Sequence, residues 1–575
     1  MRPRVWAPAA ARVELDRPGR GRAALARSDK GWWVGADDLA PGTDYGFVVD
    51  GEGPFPDPRS AWQPDGVHGP SRVVAHAAFR WTDAGWQPPP LAGGAVYELH
   101  VGTFTPEGTF DAAIARLPDL VDLGVTHVEL MPVAAFPGAH GWGYDGVASF
   151  AVHAPYGGPD GLKRLVDACH GRGLAVLLDV VYNHLGPDGN YLGRFGPYFT
   201  DRYRTPWGQA VNLDGPGSDE VRRYIIDNAL GWLRDYHLDG LRLDAVHALF
   251  DLSARHVLEE LAAEVAALEA RLGRHLTLVA ESDQNDPRLL RPPEAGGFGL
   301  PAQWSDDLHH ALHAALTGER TGYYEDFGRL EHVARALEGT FVYAGDYSLH
   351  RDRRHGQPPT GLPGWRFVTC LQNHDQVGNR ARGDRLGHGL SPDRLKVGAA
   401  LLLAGPFTPL LFQGEEWAAS APFPYFCDHQ DPALAAAVRE GRRREFAAFG
   451  WRPEDVPDPQ DPATFRAARL DWAERARAPH AEVLAWYRAL LRLRRDRPDL
   501  RDGRPGATRA RFDEAAGWLV VERPATTLAV NLGAAIARVP LGRGERRVVL
   551  SSRESGVEVG DEGVVLPPDT ATFLV

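Results

Sequence analysis

The sequence predicts an α/β fold: a (β/α)8 TIM barrel set between an N-terminal β-sandwich and a C-terminal β-sandwich. Two observations predict it. Between about residues 95 and 495, eight short apolar runs alternate with amphipathic stretches, and parallel strands need a crossover at each return. The first 90 or so residues and roughly the last 75 instead carry short strand-like runs broken by Pro and Gly. The chain of 575 residues has room for three or four domains at roughly 100 to 200 residues each.

In chain order, Arg12–Leu15 and Tyr45–Val49 are strands of the first unit, residues 1–90. Trp86–Gly94 is a linker, because three consecutive prolines exclude helix and central strand alike. The barrel, 91–495, takes its strands from Ala95–Thr103, Val125–Pro132, Leu174–Val181, Gly240–Ala245, Leu276–Ser282, Pro301–Trp304, Phe367–Gln372 and Thr408–Gln413. Between and after them lie helices at Phe110–Leu123, Gly161–Arg172, Glu220–Tyr236, Ala254–Leu272, His309–Thr317, Pro392–Leu403 and His480–Arg495. Leu258, Leu261, Val265, Leu268 and Leu272 form one apolar stripe at helical spacing. A doubly wound sheet is the alternative, but eight units over some 400 residues fit a barrel with insertions better. Residues 186–217, rich in Gly, Pro and aromatics, read as an inserted subdomain on the loop face. Trp518–Val521, Thr527–Asn531 and Arg546–Leu550 are strands of the last unit, 496–575.

Composition narrows the function classes. The net charge is −13, from 76 acids against 63 bases, which disfavours nucleic acid or an anionic membrane as partner. No 18-residue apolar run predicts a transmembrane helix, and the first residues lack the apolar core of a signal peptide. A cytoplasmic location is expected. Cys169, Cys370 and Cys427 have neither metal nor disulfide spacing. The 16 Trp, 16 Tyr and 23 Phe suit sugar rings or a large core equally.

Barrel enzymes build their sites at strand C-termini, and here those ends are polar. The third strand ends Asp179-Val-Val-Tyr-Asn-His184, the fourth reads Gly240-Leu-Arg-Leu-Asp-Ala-Val-His247, the fifth ends Val279-Ala-Glu-Ser282, and the seventh is followed by Asn373-His-Asp-Gln376. Strand alternation puts Arg242 beside Asp244 on one face and turns Leu241 and Leu243 toward the helices. A guanidinium there keeps the carboxylate ionised, as a nucleophile requires; the alternative is a structural ion pair. Glu281 follows an apolar run, a setting that raises a carboxyl pKa toward acid/base duty. Neighbouring strands lie about 4.8 Å apart, so Asp244 and Glu281 are compatible with the roughly 5 to 5.5 Å of a retaining glycosidase. Asp375 stands across the barrel. Tyr144, in Trp142-Gly-Tyr-Asp145, offers a ring face to a sugar or anchors its loop, and His184 and His374 are placed to donate to hydroxyls.

These four strand-end segments, in order, resemble the four conserved regions of the α-amylase superfamily, glycoside hydrolase family 13. The resemblance implies Asp244 as nucleophile, Glu281 as proton donor, Asp375 as transition-state stabiliser, and Tyr144, His184, Arg242 and His374 as substrate contacts. Within the superfamily, Val5-Trp-Ala-Pro8 and Phe55-Pro-Asp-Pro-Arg-Ser-Ala-Trp-Gln-Pro64 resemble the N-terminal sandwich of isoamylases, branching enzymes and trehalohydrolases. The stretches Phe55–Ser71, Gln303–His310 and Leu371–Arg380 are most similar to the maltooligosyltrehalose trehalohydrolases. That similarity implies a substrate cleft lined by 242–247, 304–308 and 373–378, adding His247, Trp304, Asp306, Asp307, Asn373 and Gln376 as substrate-binding residues. For the two aspartates the alternative is helix capping before His309.

The implied reaction is retaining hydrolysis of the α-1,4 bond next to the terminal trehalose of maltooligosyltrehalose. It implies no cofactor and no required metal, although many α-amylases bind calcium near the residue equivalent to Asn183. It also implies maltooligosyltrehalose or maltodextrin as substrate and a maltooligosyltrehalose synthase as pathway partner. A branching or debranching enzyme is the competing reaction on this fold. A non-catalytic sugar-binding barrel is the competing class, and retention of all three carboxylates weighs against it.

Overall fold

The chain is described by a computed structural model over residues 1–447 and 451–575. Eight parallel strands close into a barrel: β1 (Val96–Leu99), β2 (His127–Leu130), β3 (Ala175–Val180), β4 (Gly240–Leu243), β5 (Thr277–Ala280), β6 (Ala302–Trp304), β7 (Phe367–Cys370) and β8 (Thr408–Phe412). Closure is made by β8 on β1, where Leu411 pairs with Tyr97. Each of the eight expected segments holds a barrel strand, but the expected Ala95–Thr103 run ends as strand at Leu99 and turns into the short helix Val101–Phe104.

Alternation along these strands sorts the side chains. Val96, Leu177, Val279, Ala302, Trp304, Val368, Cys370 and Leu410 fill the interior, while Leu241, Leu243 and Leu278 join the larger core beneath the helices. Toward the strand C-termini the interior turns polar, with Glu98, Glu129, Asp179 and Arg242 all buried. Buried charges persist only when neutralised or paired. That layer is the floor of the site.

The helices follow their capping chemistry. Pro392–Ala404 starts at Ser391, whose side chain accepts from the Arg394 N–H, with Pro at the first helical position. Val257–Leu272 stops at Gly273, which is left-handed at φ 62°. The expected single helix Phe110–Leu123 is two, Phe110–Ile114 and Leu117–Leu123. Pro118 has no N–H to donate to a preceding carbonyl, so the first helix ends before it. Leu330–Gly339 and Pro432–Ala447 are helices that patterning did not indicate.

The N-terminal sheets are a three-stranded one around Trp32–Val34 and a five-stranded one around Val13–Arg17 and Asp44–Val49. They rest on the insertion after β3, which holds the short helix Leu192–Phe195 and the hairpin Phe199–Thr205/Gly208–Val211. Trp6 meets Tyr198, and Phe47 and Phe55 meet Phe195, edge to face. Trp86–Gly94 is no slack tether. Trp86 stacks on His170 and donates to Asp239 Oδ1 at 2.9 Å, pinning the segment under the barrel. At the other end, a five-stranded sheet and a three-stranded sheet form the C-terminal unit. It is tied to the barrel by Arg394–Asp569 at 2.6 Å and by the Ala510 N–H donating to Glu338. The three cysteines are free and buried.

Candidate active site

The polar strand ends meet at one mouth. Arg242, fully buried, donates from Nη1 to Asp179 Oδ2 at 2.8 Å and to Asp244 Oδ1 at 2.7 Å. Its Nη2 lies 3.7 Å from Glu281 Oε2, and its guanidinium carbon sits 4.3 Å from the Trp304 ring centroid. Asn183 Nδ2 donates to the other Asp244 oxygen at 2.7 Å. Both oxygens of Asp244 are thus oriented, yet the side chain keeps 11% of its surface.

Glu281 stands beside Asp244 because β4 and β5 pair in register, Leu243 against Ala280. Its Oε2 accepts the Ala245 N–H. Burial lifts its pKa to about 8; Asp244, Asp375 and Asp306 push the same way, and Arg242 opposes them without prevailing. Glu281 is thus raised toward its protonated form beside an Asp244 whose two oxygens accept from Arg242 and Asn183, the pattern of an acid next to a nucleophile.

Asp375 is the most open of the three, with 38% of its side chain exposed, and its Oδ1 lies 3.5 Å from His374 Nε2. Asp306 joins them, raised to about 7 by burial and by Asp283 and Asp375. No side-chain capping bond is made by Asp306 at the start of Asp307–Thr317.

Several predicted contacts lie elsewhere than expected. Asp307 is turned into the protein, where Oδ2 accepts from Asn285 Nδ2 and from the N–H groups of Val342 and Tyr343 at 2.6 to 3.0 Å. Three buried donors make it a loop anchor rather than a sugar contact. Asn373 is buried and caps the next short helix by accepting the Gln376 N–H. Trp304 lies in the barrel interior under Arg242, so it supports the guanidinium instead of offering an open face. His184 bonds Asn183 Oδ1 and the Tyr144 carbonyl, which occupies both ring nitrogens. Tyr144 donates to Asp179 Oδ2 at 2.5 Å and its ring stacks on His374. His374 is buried with both nitrogens engaged, at Glu98 and Tyr144. His247 is exposed and lines a cavity of about 270 Å³ with Tyr203, Phe250, Ser282 and Gln284. Gln376 accepts from Tyr323 and borders a second cavity of about 580 Å³.

Sequence reasoning left three residues without a site role. Asp179 and Glu98 each stand as the lone acid of an apolar strand, Ala175–Val180 and Val96–Leu99. That was the available signal, since such an acid must be paired. Trp207, at the turn of the inserted hairpin and 48% exposed, stacks on His184 at 4.4 Å and 6°. Only the fold brings it there. Among the described residues no three His, Cys, Asp or Glu side chains are grouped as a metal needs, and no helix is long and apolar enough to cross a membrane.

Residues 72–204 match the alpha amylase catalytic-domain family, and residues 503–573 match a domain of unknown function, DUF3459. The malto-oligosyltrehalose trehalohydrolase of Arthrobacter ramosus is 57% identical over 86% of this chain and 87% of its own. That of Rhizobium sp. (strain M-11) is 50% identical over 99% and 97%. A solved structure from Salmonella typhimurium superposes with TM-score 0.91 at 40% identity, covering 100% of this chain and 97% of that one. A pullulanase of Anoxybacillus sp. LM18-11 shares the fold at TM-score 0.73 and 19% identity, over 100% and 85%. A barrel with this strand-end chemistry and relatives of this identity and coverage leave one assignment: the chain belongs to the malto-oligosyltrehalose trehalohydrolase family of the α-amylase superfamily.

Proposed function

We propose that this chain hydrolyses the α-1,4-glucosidic bond next to the terminal trehalose of maltooligosyltrehalose and releases trehalose with retention at the anomeric carbon. The observation that carries the reading is the convergence of Asp244 and Glu281 on one buried guanidinium, with the charge of Asp375 acting on Glu281 from beside His374, in a chain whose relatives bear that name.

The chemistry follows from a Glu281 raised toward its protonated form beside a hydrogen-bonded Asp244. Asp244 attacks the anomeric carbon as the bond to the trehalose oxygen breaks, and Glu281 gives that oxygen its proton. Glu281, now a carboxylate, takes a proton from water, whose oxygen attacks the same carbon and displaces Asp244. Asp375, partly exposed beside His374, holds the sugar hydroxyls, and Arg242 stabilises the carboxylates that change charge. Tyr144, His247, Asp306 and Gln376 line the path of the glucan. His184 and Trp304 act behind the sugar, by fixing the Tyr144 loop and Arg242.

The substrate is a maltodextrin whose reducing end has been turned into a trehalose unit. The reaction that supplies it is an intramolecular transglucosylation, the work of a maltooligosyltrehalose synthase in the cytoplasm. A branching reaction is less supported: a 1,4-alpha-glucan branching enzyme of Thiobacillus denitrificans matches at 33% over 52% of this chain. The test is to incubate the protein with maltotriosyltrehalose and, separately, with amylose. Free trehalose from the first is expected; its absence, or new α-1,6 linkages from the second, sinks the reading.

A further inference from the structure

Behind the three carboxylates lies a second set of charges that the proposed mechanism does not use. Glu98, on β1 and 1% exposed, accepts the His374 backbone N–H at Oε2, 3.0 Å, and approaches His374 Nδ1 with Oε1 at 2.5 Å. Beyond the imidazole, Nε2 lies 2.7 Å from the Tyr144 hydroxyl, which itself donates to Asp179.

Counting protons along this chain settles the state of the ring. A tyrosine hydroxyl has one proton, and Asp179, which burial lifts to about 6 and which is therefore a carboxylate at neutral pH, accepts it. Tyr144 can therefore meet Nε2 only as an acceptor, so Nε2 carries a proton. Glu98, a carboxylate, can only accept from Nδ1, so Nδ1 carries one as well. A histidine that donates from both nitrogens is an imidazolium. We propose that Glu98 is a positioning residue for the hydrolysis: it holds His374 as an imidazolium and so fixes Tyr144 and Asp375 at the mouth of the site.

The surroundings agree in sign. Burial works against a charge on His374, but Asp375 and Glu98 outweigh it and lift the pKa to about 9. Arg242 from β4 repels the cation, and Asp179 from β3 faces it across Tyr144. From β2, Glu129 pairs in register with Glu98; burial and Glu98 push its carboxyl well above the usual range. Glu129 makes no hydrogen bond with the ring, whereas Glu98 meets both the backbone N–H and Nδ1 of His374 and is the carboxyl placed to accept from it. His100, after β1, is held neutral by burial, down at about 4. Trp142 and Trp304 close the remaining sides with rings 5.6 and 6.0 Å away. A charged His374 next to Asp375 holds that carboxylate in place, which a neutral ring does less well.

The inference rests on the hydrolase reading for its consequence, and the experiment separates the two. Histidine-labelled protein, with His374→Gln to assign the signal, is read by nitrogen chemical shifts across pH. Wild type is expected to show both His374 nitrogens protonated at neutral pH, whether or not it turns over substrate. A neutral His374 in wild type overturns the proposal with no variant needed. In Glu98→Gln the His374 titration is expected to fall by about one pH unit or more, and Glu98→Asp to recover most of it. On maltotriosyltrehalose, the basic limb of kcat/KM is expected to move down in Glu98→Gln, with less loss at acid pH. A folded Glu98→Gln with an unmoved titration, or a loss uniform across pH, also overturns it. Absence of trehalose release by wild type fails the hydrolase reading alone.

Discussion

Arg242 donates to Asp244 at 2.7 Å from a position with no solvent contact of its own. The same guanidinium holds Asp179 and lies near Glu281, so its planar fork serves three carboxyls on adjacent strands at once. A lysine ammonium is a point charge on a flexible stem and cannot span them. Arg242→Lys should fold but lose about 100- to 1,000-fold in kcat, the scale of removing one preorganised electrostatic group. Steady-state kinetics on maltotriosyltrehalose, beside a thermal melt, checks this; a loss confined to KM contradicts it.

Glu281 makes a pH prediction whose sign is fixed. The residue must carry its proton to protonate the leaving oxygen, and its pKa is about 8. The rate for the free enzyme should hold below that pH and fall about tenfold per unit above it. Glu281→Gln should remove most activity on glycosides. It should retain glycosylation by an α-maltosyl fluoride, because fluoride departs without a proton. Equal loss on both substrates argues that Glu281 is not the acid.

How far the sequence carried the site depends on which force placed each residue. The eight strands were legible because alternation and apolar runs are local, and the Arg242–Asp244 contact followed from a two-residue spacing on one strand. Glu281 followed from its place at the end of the next strand. Asp307 and Asn373 were misplaced for the same reason that they looked functional: each is a polar residue at a strand end, and such residues serve loops as readily as ligands. Their burial among backbone N–H donors is a tertiary fact. Trp207 was invisible because 23 residues separate it from His184, and only the folded hairpin returns it to the mouth.

Trp207 is therefore a test of the hairpin's use. Its ring lies flat on His184 with nearly half its surface open, which is an unusual position for a large apolar side chain unless something covers it. Stacking a sugar there is worth roughly 1 kcal/mol, so Trp207→Ala should raise KM for maltotriosyltrehalose about fivefold while kcat changes less. Trp207→Phe should recover much of it. An unchanged KM would show that the ring serves only to hold His184.

Glu129 tests the buried floor through stability. Neither carboxylate oxygen has a hydrogen-bond partner among the described residues, and the side chain is 1% exposed. Burial raises its pKa well above that of an unfolded glutamate. A group raised in this way contributes its full stability below the unfolded value of about 4.3 and loses it as pH climbs toward the folded value. Glutamine has nearly the same shape as the neutral acid and cannot ionise. Glu129→Gln should therefore match wild type in melting temperature near pH 4. It should exceed wild type increasingly toward pH 8, by on the order of 1 to 3 kcal/mol. A wild-type advantage that grows with pH would mean that Glu129 is folded as a paired carboxylate, and that the barrel floor carries one more negative charge than its geometry supports.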